Sequence, residues 1–523
     1  MCVDHTTDME AHVSYLINHR HVDKSTRVPC PVNSNHSVVL SKLAGHVSKC
    51  PDRQYNPKFN GHPGYVRKVN YNWPTMTPTP QASLSKSTTE EENGVGTTDG
   101  EFKPLMELIE KEHLVHFRDL LDRRPPSEPP LLDTFIRWME SIVLEEVARL
   151  DTTIEQQQQQ VGGKSDQKTP GPLQAAQWTR FSLMSALQKV EEGGGENTTT
   201  CPFSPSDRLH PQLEAYSLTT AATTTLAPAP SGTETSSTNT ATTEGGNYES
   251  HKHRLQEACL VQIMDEVIGG GGVGHSSSNC SFLELGAGKA GLSVAVRQLF
   301  HDTSKNPIFV VDRSNFKDSN EKKPQYVGSV QERIRMLVED FAFDRYPTPA
   351  PPPQGNTEGG GAIEDDVDRG WVLVGKHLCG SCTDFSLTCA LNALNKSPPC
   401  RRVQAIVLAP CCRHLCDYEP FVRDSLSIRL VPSRCVWDIL RSLTSWASGG
   451  KDASPWKIRA GTLAKRILDL CRLRGMKEAL QQQQKQLDGS SGDSHVPNCF
   501  ALRTYISSAV TPENVALVIW RGD

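Results

Sequence analysis

Residues 281–291 read SFLELGAGKAG, an apolar run that ends in Gly286, Gly288 and Gly291 with the spacing G-x-G-x-x-G. Such a run predicts a strand, then a tight turn in which missing Cβ atoms let backbone approach a ligand, then a helix, here LSVAVRQLF at 292–300. The same alternation extends outward in both directions. Upstream, KHRLQEACLVQIMDEV (252–267) has helical spacing. Downstream come a strand PIFVVD (307–312), a helix near 331–339, a strand WVLVGKH (371–377), a helix FSLTCALNAL (385–394) and a strand VQAIVLAP (403–410). Short apolar strands alternating with helices predict an α/β domain, a parallel-rich sheet covered on both faces.

The loop alone leaves its ligand open. A dinucleotide would sit there, with Asp312 at the end of the next strand on a ribose hydroxyl, and a merely structural turn is the bland alternative. Glu284, two residues before the first glycine, shifts the balance. An acid at that strand end opposes a pyrophosphate but suits a ligand carrying ammonium and sulfonium charge, as S-adenosylmethionine does. The cofactor-binding candidates are therefore Glu284, Gly286, Gly288, Gly291 and Asp312.

Composition shows how little of the chain is domain. Of 523 residues only 37% are hydrophobic and 6% aromatic, so much of the length buries nothing. Residues 151–250 hold a glutamine run and tracts such as TTAATTTLAPAP, and are expected to be mostly disordered apart from a helical island near Trp178–Val190. Shorter interruptions at 269–274, 347–361 and 481–492 resemble loop expansions. Residues 105–150 predict two amphipathic helices broken near Pro125–Pro130. The net charge of −5 excludes a uniformly basic nucleic-acid coat, but not a local basic face. Without a long apolar span or a signal-like start, the expectation is a soluble intracellular protein, cytoplasmic or nuclear, with no membrane and no obligate protein partner. In that compartment the 16 cysteines read as thiols or metal ligands.

Cys30, His36, His46 and Cys50 form Cys-x5-His-x9-His-x3-Cys. Two thiolates and two imidazoles suit tetrahedral Zn²⁺, and four protein ligands leave no open position, so the expected site is structural. A segment this short would draw most of its stability from the metal. Its flank carries Lys42, Lys49, Arg53, Lys58, Arg67 and Lys68 among Tyr55, Phe59, Tyr65, Tyr71 and Trp73, which suits phosphate contact and base stacking as well as it suits a solvated linker.

Two further strand ends are polar: VLVGKHLCGSCTD (372–384) and IVLAPCCRHLCD (406–417). Ligands bind beyond such strand ends in open α/β sheets. Together with the CHHC cluster, the glycine loop, Thr444–Ala447 (TSWA) and Glu513–Asn514, they resemble the tRNA:m(4)X modification enzymes, which 2′-O-methylate the ribose of nucleotide 4 in the tRNA acceptor stem. The resemblance implies a Rossmann-like class I methyltransferase, plus a small N-terminal CHHC zinc finger and disordered inserts. It implies S-adenosylmethionine and Zn²⁺ as cofactors and the tRNA acceptor stem as partner. The implied division is a remnant CCCH finger (1–27, with Cys2 and His5), the CHHC finger (28–54), a linker (55–104), a helical segment (105–150), the insert (151–250) and the methyltransferase domain (251–523).

Departures from the family pattern are Leu337 where an Asp is usual, with Glu339 or Asp340 as substitutes, and Cys382 where Ala is usual. Lys376 and His377 are the expected catalytic residues, with His414 an alternative base. Arg413 is expected to meet a phosphate, and Asp384 and Asp417 are further polar candidates. Cys379, Cys382, Cys411, Cys412, Cys416 and His414 could form a second metal site, although buried unreactive thiols are the favoured reading. The rival functions are a non-enzymatic RNA-binding or splicing factor with a degenerate methyltransferase fold, and a methyltransferase acting on a protein or small molecule.

Overall fold

The computed structural model describes residues 23, 25–29, 37–43, 45–46, 64–66, 68–71, 99–120, 131–160, 170–187, 209–218, 243–268, 280–303, 305–314, 316–346, 370–394, 403–421, 431, 433–448, 454–487 and 497–522. Its centre is a seven-stranded sheet. The strands are β3 (Cys280–Leu285), β4 (Ile308–Val311), β5 (Glu332–Ile334), β6 (Gly370–Cys379), β7 (Val403–Cys411), β8 (Cys499–Thr504) and β9 (Val515–Trp520), ordered β5-β4-β3-β6-β7-β9-β8. β3 to β7 are mutually parallel, and β9 runs antiparallel to both β7 and β8. The order reverses direction at β3. The carboxyl ends of the adjacent parallel strands β3 and β6 therefore lie at a switch point, the position where open α/β sheets bind ligands.

Period-2 alternation puts each strand's apolar residues into two separate cores. Leu283, Phe309, Leu373, Ile406 and Leu517 face one, and Phe282, Val310, Val372, Val407 and Val518 the other. The first core is closed by α1 (Asp99–Lys111), α2 (Leu131–Gln160), α7 (Cys382–Leu394), α8 (Arg434–Leu443) and α9 (Pro455–Leu487). The second is closed by α4 (Pro211–Leu218), α5 (Thr243–Val267) and α6 (Gly291–Leu299). Among the described residues, no helix is long and apolar enough to cross a membrane.

Two local expectations are corrected. The segment near 331–339 is not a helix: it forms the edge strand β5 and a 3-10 turn at Val338–Asp340. Pairing with β4, from Phe309↔Glu332 to Val311↔Ile334, overrides the helical spacing. Residues 151–250 contribute more order than their composition suggests. α2 runs through the glutamines to Gln160, α3 spans Pro172–Leu187, α4 lies inside the stretch, and α5 begins at Thr243. Buried Trp178, Leu183, Leu213 and Tyr216 explain why these pieces fold. α3 also shields the sheet edge: Thr179 Oγ1 accepts from Leu502 N at 3.1 Å, and Ser182 Oγ accepts from Thr504 N at 3.0 Å.

At the N-terminus, β1 (Arg27–Pro29) and β2 (Ser37–Val39) pair antiparallel and flank residues 30–36, and a 3-10 turn follows at Leu40–Lys42. Of the expected zinc ligands, His46 is described, while Cys30, His36 and Cys50 lie outside the described residues, as does the segment 1–22.

Candidate active site

The glycine loop behaves as three different positions. Gly286 has φ +64°, and a Cβ there would meet Leu378 at 2.9 Å and Cys382 Sγ at 3.3 Å, so it is needed for contact with the β6 loop. Gly288 has φ +52° and open space where its Cβ would be. Its N–H donates to Asp312 Oδ2 at 2.8 Å, tying the loop to the end of β4, while Asp312 Oδ1 accepts from Ser314 N at 2.7 Å. A Cβ on Gly291 would lie 2.3 Å from Glu257 Oε1. Gly291, expected to serve a cofactor, makes room for a carboxylate of α5.

Glu284 is fully buried. Its Oε2 accepts the Ser293 N–H at 2.9 Å and the Ser293 hydroxyl as well. Ser293 is the third residue of α6, so Glu284 satisfies that helix's first turn from the strand before it. Burial pushes its carboxyl up to about 8, with Ser293 opposing the shift and Glu257 adding to it. Any influence on a cationic ligand acts through this buried carboxyl's field rather than through an exposed side chain.

β6 extends past the expected strand end to Cys379, with an irregularity between Lys376 and Leu378. His377 sits in that bulge with φ +58°, and bulges of this kind re-aim side chains beside active sites. Its Nε2 is buried and has no hydrogen-bond partner, and its ring meets His253 edge-on at 5.4 Å. Burial first, then Lys376 and His253, push the imidazole down to about 4, so it is neutral near pH 7. Lys376 Nζ donates to Glu257 Oε1 at 2.6 Å and to the His253 carbonyl at 3.0 Å. Tyr216 donates its hydroxyl to Glu257 Oε2 at 2.7 Å.

Glu257 and His253 were missed from the sequence. Their signal is the i, i+4 spacing on the helix before the glycine loop, which places both on one face.

The second strand end is divided in its roles. Arg413 is only 1% exposed and is not available to a phosphate. Its guanidinium binds Asp469 with Nε at 2.9 Å and Nη2 at 2.5 Å, and it also binds Glu513. Asp384 is likewise fully buried, holding Arg472 bidentately at 2.8 and 2.9 Å. Lys465 joins Glu513 at 2.6 Å. Buried ion pairs of this kind lock α7, β7 and α9 together, so these residues hold the site's frame rather than lining it. His414 is exposed, and Asp417 donates its N–H to Ser381 Oγ at 2.7 Å.

Burial pushes the Cys382 thiol up to about 12 and the Cys416 thiol up to about 11, consistent with inert buried thiols there.

The segment beyond the finger does not stand free. Asp340 Oδ1 accepts from Lys68 N at 2.6 Å, Asn70 donates to the Val338 and Phe341 carbonyls, and Tyr71 stacks on Phe385 at 5.9 Å. Tyr65, Lys68 and Tyr71, read as an RNA flank or a solvated linker, are docked on the α/β domain, and Asp340 is used in docking them.

Residues 255–457 match the family model described as Methyltransferase TRM13, and residues 27–51 match the U11-48K-like CHHC zinc finger. The chain is similar to proteins named tRNA:m(4)X modification enzyme TRM13. It is 28% identical to that of Yarrowia lipolytica over 34% of this chain and 37% of the relative, and 25% identical to that of Saccharomyces cerevisiae over 52% and 63%. The Schizosaccharomyces pombe protein is 25% identical over 52% of this chain and 68% of its own length. The first matches thus span from about a third to under two thirds of the relatives' own length. No solved structure matches. The two family models and these relatives agree with the resemblance drawn from the sequence motifs.

Proposed function

We propose that this chain, which carries both the TRM13 methyltransferase match and the CHHC finger match, methylates the 2′-hydroxyl of nucleotide 4 in the acceptor stem of tRNA inside the cell. The observation that carries the reading is the juxtaposition at the carboxyl ends of β3 and β6. A glycine turn open at Gly288 follows one strand, and the adjacent strand carries in its terminal bulge His377, whose buried Nε2 has no hydrogen-bond partner. The strand order β5-β4-β3-β6-β7-β9-β8, with β9 reversed, supports a Rossmann-like class I methyltransferase.

The residues present fit S-adenosylmethionine. Gly288 leaves space at the loop, and Asp312, just past the next strand, places a carboxylate beside it that accepts from Gly288 N and Ser314 N. Glu284 adds a buried acid whose ionised form a cationic ligand would favour. The bound cofactor supplies an electrophilic methyl group. Lys376, held by Glu257 and the His253 carbonyl, orients the ribose. His377 Nε2 accepts the hydroxyl's hydrogen bond and then its proton as the new O–C bond forms. Its low basicity makes alignment the larger contribution. Cys30, His36, His46 and Cys50 would hold structural Zn²⁺, and the finger would grip the acceptor stem through its shape, since A-form RNA offers its 2′-hydroxyls in the shallow groove.

The test is to map 2′-O-methylation in tRNA from cells lacking the protein and to assay transfer to tRNA by the purified chain. Loss of the mark at nucleotide 4 is expected, and an unchanged mark would defeat the proposal. Full turnover by both Lys376→Ala and His377→Ala would defeat the residue assignment.

A further inference from the structure

The Sγ atoms of Cys379, Cys411 and Cys412 all lie within 4.8 Å of one another, with Cys379 and Cys411 3.1 Å apart. We infer that these three cysteines form a second metal site, a three-thiolate tripod for a soft divalent ion such as Zn²⁺ at the carboxyl ends of β6 and β7.

Two features of the backbone bring the thiols together. Cys379 and Cys411 are register partners on adjacent parallel strands, at the last rung of the pairing. Successive side chains of an extended strand point to opposite faces, so Cys412 should turn away from Cys411. It does not, because Cys412 takes a left-handed conformation, φ 45° and ψ 45°, that strains a non-glycine residue and swings its thiol back toward the other two. The loops are also pressed together. A Cβ on Gly380, φ +57°, would lie 2.7 Å from the Leu415 carbonyl oxygen.

Metal–sulfur bonds of about 2.3 Å in a tetrahedron set sulfurs about 3.8 Å apart, which lies inside the span these thiols cover. A disulfide between Cys379 and Cys411 would leave Cys412 without a role, and all three thiols are free. Thiolates select soft ions over magnesium or calcium. No fourth His, Cys, Asp or Glu atom joins the group among the described residues, so the fourth position falls to water. This inference does not depend on the methyltransferase reading.

The experiment measures zinc per chain by elemental mass spectrometry on the purified full-length protein under reducing conditions. It also follows cobalt(II) substitution through thiolate-to-metal charge-transfer absorption. The wild type is expected to hold about two zinc ions, and a Cys30→Ser/Cys50→Ser variant, which disables the finger, about one. Adding Cys411→Ser and Cys412→Ser should lower that to about a tenth or less and abolish the cobalt band, whereas adding Cys435→Ser, outside the cluster, should change neither. Zinc should also protect Cys379, Cys411 and Cys412 from alkylation in the finger-disabled chain, a readout that needs no cluster variant to fold. A finger-disabled chain that stays folded by circular dichroism yet holds no zinc would overturn the inference. So would zinc retained after both cluster substitutions, or recovery of a Cys379–Cys411 disulfide from the reduced, zinc-supplied protein.

Discussion

Replacing Asp384 by Asn removes one charge from the buried network and almost nothing else. Arg413, Arg472 and Lys465 face Asp384, Asp469 and Glu513, all but Glu513 at most 2% exposed, and Arg466 is buried beside them on the Ser182 carbonyl and Asn514. Four cations against three carboxylates become four against two. Arg472 keeps a 3.4 Å contact to Asp469, a sulfur contact to Cys416 and the Phe421 ring face, and loses its charged bidentate partner. Breaking a buried pair from one side costs about 3–5 kcal/mol, a large share of the roughly 5–15 kcal/mol that typical domains possess. Urea unfolding at neutral pH should show that loss. Isothermal titration of the folded Asp384→Asn protein should find S-adenosylmethionine affinity within about twofold of wild type, a difference of under about 0.5 kcal/mol. The pair Asp384→Leu with Arg472→Met should recover much of the stability, because an apolar replacement leaves no stranded charge. A loss below about 1 kcal/mol, or a tenfold weaker affinity without destabilisation, would refute the structural role and return Asp384 to the site.

The glycines offer a second test. Gly291→Ala should destabilise the fold and disturb Lys376 by driving its methyl into Glu257, whereas Gly288→Ala should cost about 1–2 kcal/mol for its backbone alone and weaken cofactor binding, both read by thermal unfolding and titration. Equal cofactor affinity in Gly288→Ala and wild type would contradict the open position assigned to Gly288. Glu284 sets a pH dependence. Its folded pKa of about 8 exceeds the ordinary 4.5, so the folded state holds a proton the unfolded chain has released, and its contribution is full below about 4.5 and lost as pH rises to about 8. Glu284→Gln should remove a decline of up to about 5 kcal/mol across that window in urea unfolding, and the same slope in variant and wild type would argue against the buried acid. Asp469 and Glu513 act oppositely: both are held below the ordinary range by Arg413, against the effect of burial, so their stabilisation is present above about 4 and lost on acidification. Unfolding that is insensitive to Asp469→Asn below that range but sensitive at neutral pH is the expected pattern. In a Cys411→Ser/Cys412→Ser chain, chelation of zinc should unfold 27–51 while the α/β domain keeps its unfolding midpoint, as circular dichroism and proteolysis can separate.

The alternation of strands and helices from 252 to 410 and the glycine turn could be read from residues alone, because period and turn chemistry are local properties. The placement of Lys376 and His377 near the end of a strand was legible, as was the insert's helical island around Trp178. β5 was not, since a three-residue strand exists only through its pairing with β4. Nor were the partners of Gly291, Asp384 and Arg413. Gly291 answers to Glu257 in the helix before it, Asp384 to Arg472 88 residues away, and Arg413 to Asp469 56 residues away. Composition could not tell a charge that meets a ligand from one that meets a distant counter-charge. That distinction depends on which helices cover the sheet, and burial then decides it: a carboxylate or guanidinium sealed from water must find its partner inside the protein.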